Sequence, residues 1–159
     1  MYKRQEEINV SAKGFRGGGA SNPVVISCQT STDYVTNTGS EGIKGEGIAT
    51  NGNDRSRGHL ANGGGGANKH NSGGGGGSNY GTGGKGGFET TDCSLSDVGG
   101  LGGESLSAQI PNGKVFLGGG GGGSAIDEFF SQNSNNTGGR GGGIVIMRAA
   151  VLDAQNDIC

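Results

Sequence analysis

The histidines and carboxylates are the residues of this chain that could do acid–base chemistry. Only His59 and His70 could act as bases near neutral pH. Both lie in polar stretches, where a solvated or turn-capping histidine is the usual outcome, and no GxSxG elbow supplies a nucleophile. Asp127 and Glu128 adjoin in sequence and would diverge on a strand or a helix. The sequence therefore predicts no catalytic residues and a protein that is not an enzyme.

A glycine pattern typical of phosphate-binding loops occurs once in the central block. Gly81, Gly83 and Gly86 match GxGxxG, but a chain with 40 glycines is expected to contain such a match by chance. No strand-then-helix context surrounds the match, and no lysine is followed by Ser or Thr in a Walker pattern. We expect no nucleotide and no other organic cofactor.

Calcium and disulfide sites are the remaining chemical candidates. Asn51, Asn53 and Asp54 carry suitable oxygen ligands for calcium, although the segment fits no EF-hand or nonapeptide repeat and an ordinary turn is the alternative. Cys28 and Cys93 are the simplest disulfide pair in a chain of 3 cysteines, and unpaired thiols are the alternative interpretation. The absence of a CxxC motif or Cys/His cluster argues against a structural zinc site.

The composition limits the class of protein. Glycine makes up 40 of 159 residues and hydrophobic residues 29%, so an ordinary apolar core cannot form along much of the chain. Such a composition is also typical of disordered chains, but the apolar residues cluster at the edges of the glycine runs. The net charge is −2, with no basic stripe and no long apolar run, which argues against nucleic acid as a partner and against membrane insertion.

The two ends of the chain are interpreted separately from its middle. Residues 1–5 (MYKRQ) resemble a translated sequencing-adaptor scar and are not expected to belong to the fold. We expect no signal peptide in this stretch, and the chain stops directly after a strand-like segment. We therefore predict that residues 6–159 are a single glycine-rich extracellular domain, a fragment of a much larger protein.

Short β-type segments alternate with glycine runs. Strands are predicted at 7–12, 24–28, 114–117, 144–147 and 150–154, and a short helix at 124–132. The runs between 62 and 87 favour extended helices with three residues per turn, as in polyproline II. We predict an all-β fold: a β-helix-like or stacked β-sheet with packed polyglycine-II-type loops or helices and little or no α-helix, with a sandwich as the rival architecture.

An ordered set of non-glycine anchors carries a family resemblance. Its members are 9–18 (NVSAKGFRGG), 44–49 (KGEGIA), 70–77 (HNSGGGGG), 79–81 (NYG), 97–103 (DVGGLGG), 115–118 (VFLG) and 141–146 (GGGIVI). Together they resemble the glycine-rich region of large secreted surface proteins of Bacteroidota-type bacteria, which often carry type IX secretion or gliding-motility-associated C-terminal domains. Residues 125–131 (AIDEFFS) depart from this pattern. The glycine-rich composition of the central block is similar to that of the glycine-rich ectodomain of anaplastic lymphoma kinase. This similarity is an analogy for the packing and not a sign of homology.

The resemblance implies a secreted, non-catalytic structural or adhesive segment of a bacterial cell surface, acting as a rigid scaffold or spacer. Its partners would be other parts of the parent chain, surface glycans or other cells. One alternative is an adhesin module that binds glycans or a receptor; another is an accessory domain of a secreted polysaccharide-degrading enzyme. The binding-surface candidates are Tyr34, Tyr80, Phe129 and Phe130. The predicted anchors of the glycine runs are Phe15, Tyr80, Phe88, Leu101, Phe116 and Ile144 to Ile146.

Overall fold

The fold contains almost no conventional secondary structure. The computed structural model describes residues 7–21, 32–36, 39–50, 54–68, 71–88, 97–126 and 136–148. Within these ranges the regular element is one 3-10 helix, Ser107–Asn112, and the β-pairing is confined to isolated bridges such as Ser21 with Ala125. The prediction of an all-β fold, with a β-helix, a stacked sheet or a sandwich, is therefore wrong.

Extended glycine-rich segments take the place of strands. Their amides and carbonyls bond to other segments at a spacing of three residues: Gly64 donates to Gly120 and Ala67 to Gly123, both over 2.9 Å. A helix with three residues per turn points each third residue in the same direction, whereas a strand alternates between two faces. Each segment can therefore bond to neighbours all around its axis. The segments with this pattern are 14–19, 42–47, 62–67, 73–78, 83–87, 99–104, 118–123 and 138–143.

Segment direction alternates along the chain. Gly118 donates to Gly142 and Gly121 to Gly139, so 118–123 and 138–143 run antiparallel. The pair formed by 62–67 and 118–123, by contrast, is parallel, because both residue numbers rise together from one bond to the next. The chain thus runs up and down through the bundle, and every second segment points the same way.

Segment 118–123 lies at the centre of the bundle. All six of its amides donate to backbone carbonyls, and the acceptors belong to 42–47, 73–78 and 138–143. Its carbonyls accept amides from 14–19 and 62–67. Gly120 and Gly122 are buried here, and their lack of a side chain is what lets backbone approach backbone.

The predicted strands are absent wherever the structure describes them. Residues 7–12, 114–117 and 144–147 form no strand, and Val115, Ile146 and Met147 are exposed by 64%, 83% and 67%. The prediction failed for the β-branched runs because such a run forms a strand only where its side chains can pack against an apolar surface. In this bundle the interior is backbone. The predicted strands 24–28 and 150–154 lie outside the described residues, as does most of the predicted helix 124–132.

The buried side chains are few and mainly polar. Buried apolar side chains among the described residues are Ala67, Val98, Leu106 and Ala125, whereas Glu41, Lys44, Ser56, Asn62 and Asn68 are at most 3% exposed. Large side chains cannot enter between segments that touch through their backbones. The aromatic residues predicted to anchor the glycine runs accordingly lie at the periphery, with Tyr80 69% and Phe88 46% exposed. Phe15, Leu101, Phe116 and Ile144 are half-buried.

Candidate functional site

Asn62 is a polar side chain that ties together parts of the bundle far apart in the sequence. It is fully buried and directly precedes the glycine run 63–66. Its amide group donates to the carbonyl of Leu117 over 3.0 Å, and its side-chain oxygen accepts the amide of Ile48 over 2.9 Å. Its own backbone carbonyl accepts the amide of Ser78 over 2.8 Å. One side chain thus satisfies the backbone at the ends of two segments.

Arg16 and Glu46 form a clamp at the surface. Arg16 Nε donates to Glu46 Oε1 over 2.7 Å, and the Arg16 backbone amide donates to Oε2 over 3.0 Å. The backbone amide of Glu46 donates back to the Arg16 carbonyl over 2.9 Å. The hydrogen bond from the Arg16 side chain is the main reason that the pKa of Glu46 lies below its usual value. The clamp fixes the register of segments 14–19 and 42–47.

A second polar cluster surrounds the loop that carries Tyr34. Lys44 is 3% exposed, and its Nζ donates to the Tyr34 carbonyl over 2.7 Å. Burial lowers the pKa of Lys44, because a buried ammonium group has lost its hydration. The guanidinium of Arg57 lies 5.2 Å from the centre of the Tyr34 ring, within cation–π distance. These contacts attach the loop to the bundle.

Asp97 joins this cluster to segment 83–87. Lys85 Nζ lies 2.6 Å from Asp97 Oδ1, and Arg57 Nη2 lies 3.4 Å from the same oxygen. The hydrogen bond from Lys85 is the largest cause of the lowered pKa of Asp97. Arg57 is buried while Asp97 is mostly exposed, so the pair links an interior cation to the surface. This arrangement is suited to holding segments together.

An open groove of about 630 Å³ runs along one side of the central segment. Its floor is formed by Gly118, Gly119 and Gly121, and its walls by 76–78 and 139–142. The loop 79–82, with the exposed side chain of Tyr80, closes one end. Arg140 is the charged residue that lines the groove. The surface that it offers to a ligand is therefore mostly peptide backbone.

Two of the four predicted binding-surface residues, Tyr34 and Tyr80, lie within the described structure and make different contacts. Tyr34 and Tyr80 are exposed by 58% and 69%. Tyr34 contacts Lys44 and Arg57, whereas the Tyr80 carbonyl accepts the hydroxyl of Ser105. Phe129 and Phe130 lie outside the described residues.

The candidate calcium and disulfide sites are described only in part. Asp54 is exposed, and its backbone carbonyl accepts the amide of Lys44 over 2.5 Å. Asn51, Asn53, Cys28 and Cys93 lie outside the described residues. No group of three or more His, Cys, Asp or Glu side chains within the described ranges is placed to hold a metal ion.

The GxGxxG match has a packing role. The amides of Gly83 and Gly86 donate to the carbonyls of Gly103 and Gly100 over 2.9 and 2.8 Å. Amides that cradle a phosphate must be free to point at it, and these two are already bonded within the bundle. Of the two histidines, His59 lies within the described residues, with its Nε2 3.6 Å from Glu104 Oε1. His70 lies outside them.

Sequence reasoning missed the buried polar residues. Asn62 and Lys44 belong to polar, glycine-rich stretches, and neither receives a role from the sequence patterns alone. A signal was available, because Asn62 directly precedes a glycine run, where an amide side chain can bond the backbone groups that the run leaves exposed. Glu41 and Lys44 are likewise polar residues next to a glycine: Glu41 precedes Gly42, and Lys44 precedes Gly45.

Within the described residues, no helix is long and apolar enough to span a bilayer. Comparison of the chain with protein-family models, with curated proteins and with solved structures finds no match.

Proposed function

We propose that this chain is a non-catalytic structural segment, a rigid scaffold or spacer in a secreted surface protein. The observation that carries the proposal is the bonding of segment 118–123, whose amides all donate to carbonyls of other segments. Ordering glycine costs more backbone entropy than ordering any other residue, so an arrangement of this kind requires dense hydrogen bonding to persist. A bundle bonded in this way resists bending and resists proteases, which need an extended, accessible backbone.

The polar clamps support the same proposal. Asn62 and the pair of Arg16 with Glu46 join segments that are 30 or more residues apart in sequence, and the pair of Lys85 with Asp97 ties segment 83–87 to the chain 12 residues further on. Each contact uses a charged or amide group to satisfy or position backbone. A catalytic site would instead leave such groups free to act on a substrate.

Glycan recognition through aromatic side chains is the less favoured function. It would rest on exposed rings grouped on one surface, and Tyr34 and Tyr80 contact different segments. The scaffold proposal rests on bonds that involve most of the described glycine segments.

Amide hydrogen exchange on the full chain tests the scaffold. The amides of Gly64, Gly75 and Gly120 should exchange at least about a hundredfold more slowly than random-coil rates, because opening them requires separating packed segments. The exposed Gly81 provides an internal reference for fast exchange. Random-coil rates at all three interior positions would mean flexible glycine loops and would refute the scaffold.

A further inference from the structure

Among the described segments, the groove beside segment 118–123 is a missing position in the packing of the bundle. A helix with three residues per turn has three rows of amides and three rows of carbonyls around its axis. In 118–123 the three amide rows are all bonded. The carbonyl row of Gly118 and Gly121 accepts amides from segment 14–19, and the row of Gly120 and Gly123 accepts amides from 62–67.

The third carbonyl row consists of Gly119 and Gly122, and Gly119 lines the groove. Within the described structure, the carbonyls of Gly119 and Gly122 accept no backbone amide. Both lie between the two walls: a Cβ built on Gly77 would be 2.1 Å from the Gly119 oxygen, and one on Gly141 would be 2.8 Å from it. The Gly122 oxygen lies between the walls in the same way: a Cβ built on Gly74 would be 2.1 Å from it, and one on Gly138 would be 2.8 Å from it.

The walls offer amides to the same space. In segment 73–78 the amides of Gly74 and Gly77 donate to no backbone carbonyl of the described structure. The other four amides of that segment are bonded. In the opposite wall the amides of Gly139 and Gly142 likewise have no backbone acceptor among the described residues. The groove therefore presents acceptors on its floor and donors on both walls, each repeating every third residue.

We propose that this groove binds an extended, glycine-rich peptide strand of a partner protein, running parallel to 118–123. The direction follows from the two segments that already donate to 118–123, because 14–19 and 62–67 both run parallel to it. The bound strand would donate amides to Gly119 and Gly122 and accept amides from the walls. This step goes beyond the scaffold proposal but rests on the same packed bundle.

Segment 14–19 shows which sequence fits such a position. It too lies against 118–123 between two antiparallel segments. A Cβ at Gly17 would lie 1.7 Å from the carbonyl oxygen of Gly138 and one at Gly18 would lie 1.9 Å from that of Ile43, whereas the side chain of Arg16 is exposed. The partner strand must therefore have glycine wherever it faces the walls and can carry larger residues on its outer side.

A peptide that copies residues 13–20 (KGFRGGGA), acetylated and amidated, is the probe. Added at millimolar concentration to the full chain, it should slow exchange at Gly77, Gly139 and Gly142 by about tenfold, because their amides gain acceptors. A control peptide with alanine in place of the glycine that corresponds to Gly17 should leave these rates unchanged.

Two matched variants locate the binding. Gly142 lines the groove and Gly84 lies on segment 83–87 away from it, and a Cβ on either meets nothing within 4 Å. Gly142→Leu should abolish the protection, and Gly84→Leu should retain it. Exchange at Gly64 and Gly120 reports in the same experiment whether each variant still folds, which keeps this test separate from that of the scaffold.

Three results would overturn the proposal. The first is no protection by the peptide while Gly64 and Gly120 remain protected. The second is equal protection in Gly142→Leu. The third is protection of the groove amides without peptide that rises with protein concentration, since a second copy of this chain would then be the occupant.

Discussion

Gly64 donates its amide to the carbonyl of Gly120 over 2.9 Å, so two residues 56 positions apart in the chain touch backbone to backbone. Gly120 also donates its own amide to the carbonyl of Glu46 over 2.9 Å. A Cβ built on Gly120 would lie 1.9 Å from the carbonyl oxygen of Arg16. One glycine therefore holds three other segments in contact, and no larger residue can replace it without separating them.

Gly120→Ala should strongly destabilise the bundle. The added methyl group would overlap backbone, which cannot rotate away as a side chain can, so the expected loss is about 1–3 kcal/mol or more in the free energy of unfolding. Urea unfolding measures it. Gly142→Ala is the control, because a Cβ there meets nothing within 4 Å, and we expect a neutral effect or a gain of about 0.4–1 kcal/mol. Equal losses in the two variants would show that the backbone contact at Gly120 is absent in solution.

Sequence reasoning went wrong where it assumed an apolar interior. The run 144–147 has the composition of a buried strand, yet Ile146 is 83% exposed. Period-two and β-branched patterns report on strands that pack through side chains. Here the backbone itself fills the interior, and the three-residue spacing of VGGLGG at 98–103 was the better guide, since Leu101 accepts the amide of Gly65 across the bundle.

The groove could not be derived from the sequence. It depends on which of the glycine runs lie next to one another, and runs of identical residues carry no information about their partners. The clamp could not be predicted either. Arg16 and Glu46 are 30 residues apart, and their pairing follows only once segments 14–19 and 42–47 are aligned. The order of the segments, rather than their composition, determines both features.

Asn62→Ala should lower the free energy of unfolding more than Asn79→Ala does. The variant removes the partners of the Leu117 carbonyl and the Ile48 amide together, and an unsatisfied buried polar group costs about 1–3 kcal/mol. Asn79→Ala is the matched control, because Asn79 is less buried and its side-chain amide donates to the Phe116 carbonyl over 3.0 Å. Urea unfolding of both variants gives the comparison. If Asn79→Ala were the more costly, the bridging role of Asn62 would be wrong.

Glu46 should make part of the stability depend on acid pH. Its pKa is lowered in the folded protein, mainly by the hydrogen bond from Arg16, so the folded state binds the proton less readily than the unfolded state. The stabilisation is therefore fully present above the unfolded value of about 4.3 and is lost as the pH falls through the lower folded value. The Arg16 side chain is largely exposed and that of Glu46 is partly exposed, so the effect should be small and should weaken with salt.

The measurement for Glu46 is the urea midpoint of the wild type and of Glu46→Gln between neutral pH and about pH 2, a range that spans the titration of the carboxyl group. The difference between the two proteins should shrink as the pH falls. A constant difference across this range would mean that the carboxylate charge contributes nothing to the clamp.

Lys44 should give the opposite dependence, at alkaline pH. Burial lowers its pKa, so between the folded value and the unfolded value of about 10.4 the unfolded state binds more protons. Through this group the free energy of unfolding must rise with pH across that window. Lys44→Met removes the titration, and with it the hydrogen bond to the Tyr34 carbonyl.

Urea unfolding of the wild type and of Lys44→Met at several values between neutral pH and about pH 10 tests this dependence. The stability of the wild type relative to the variant should increase as the pH rises, because deprotonation removes the cost of a buried charge while the neutral amine can still donate to the Tyr34 carbonyl. A difference that falls with pH would show that the ammonium form is the stabilising one. Lys44 would then act as a favourable buried cation, with Asp54 as its counter-charge.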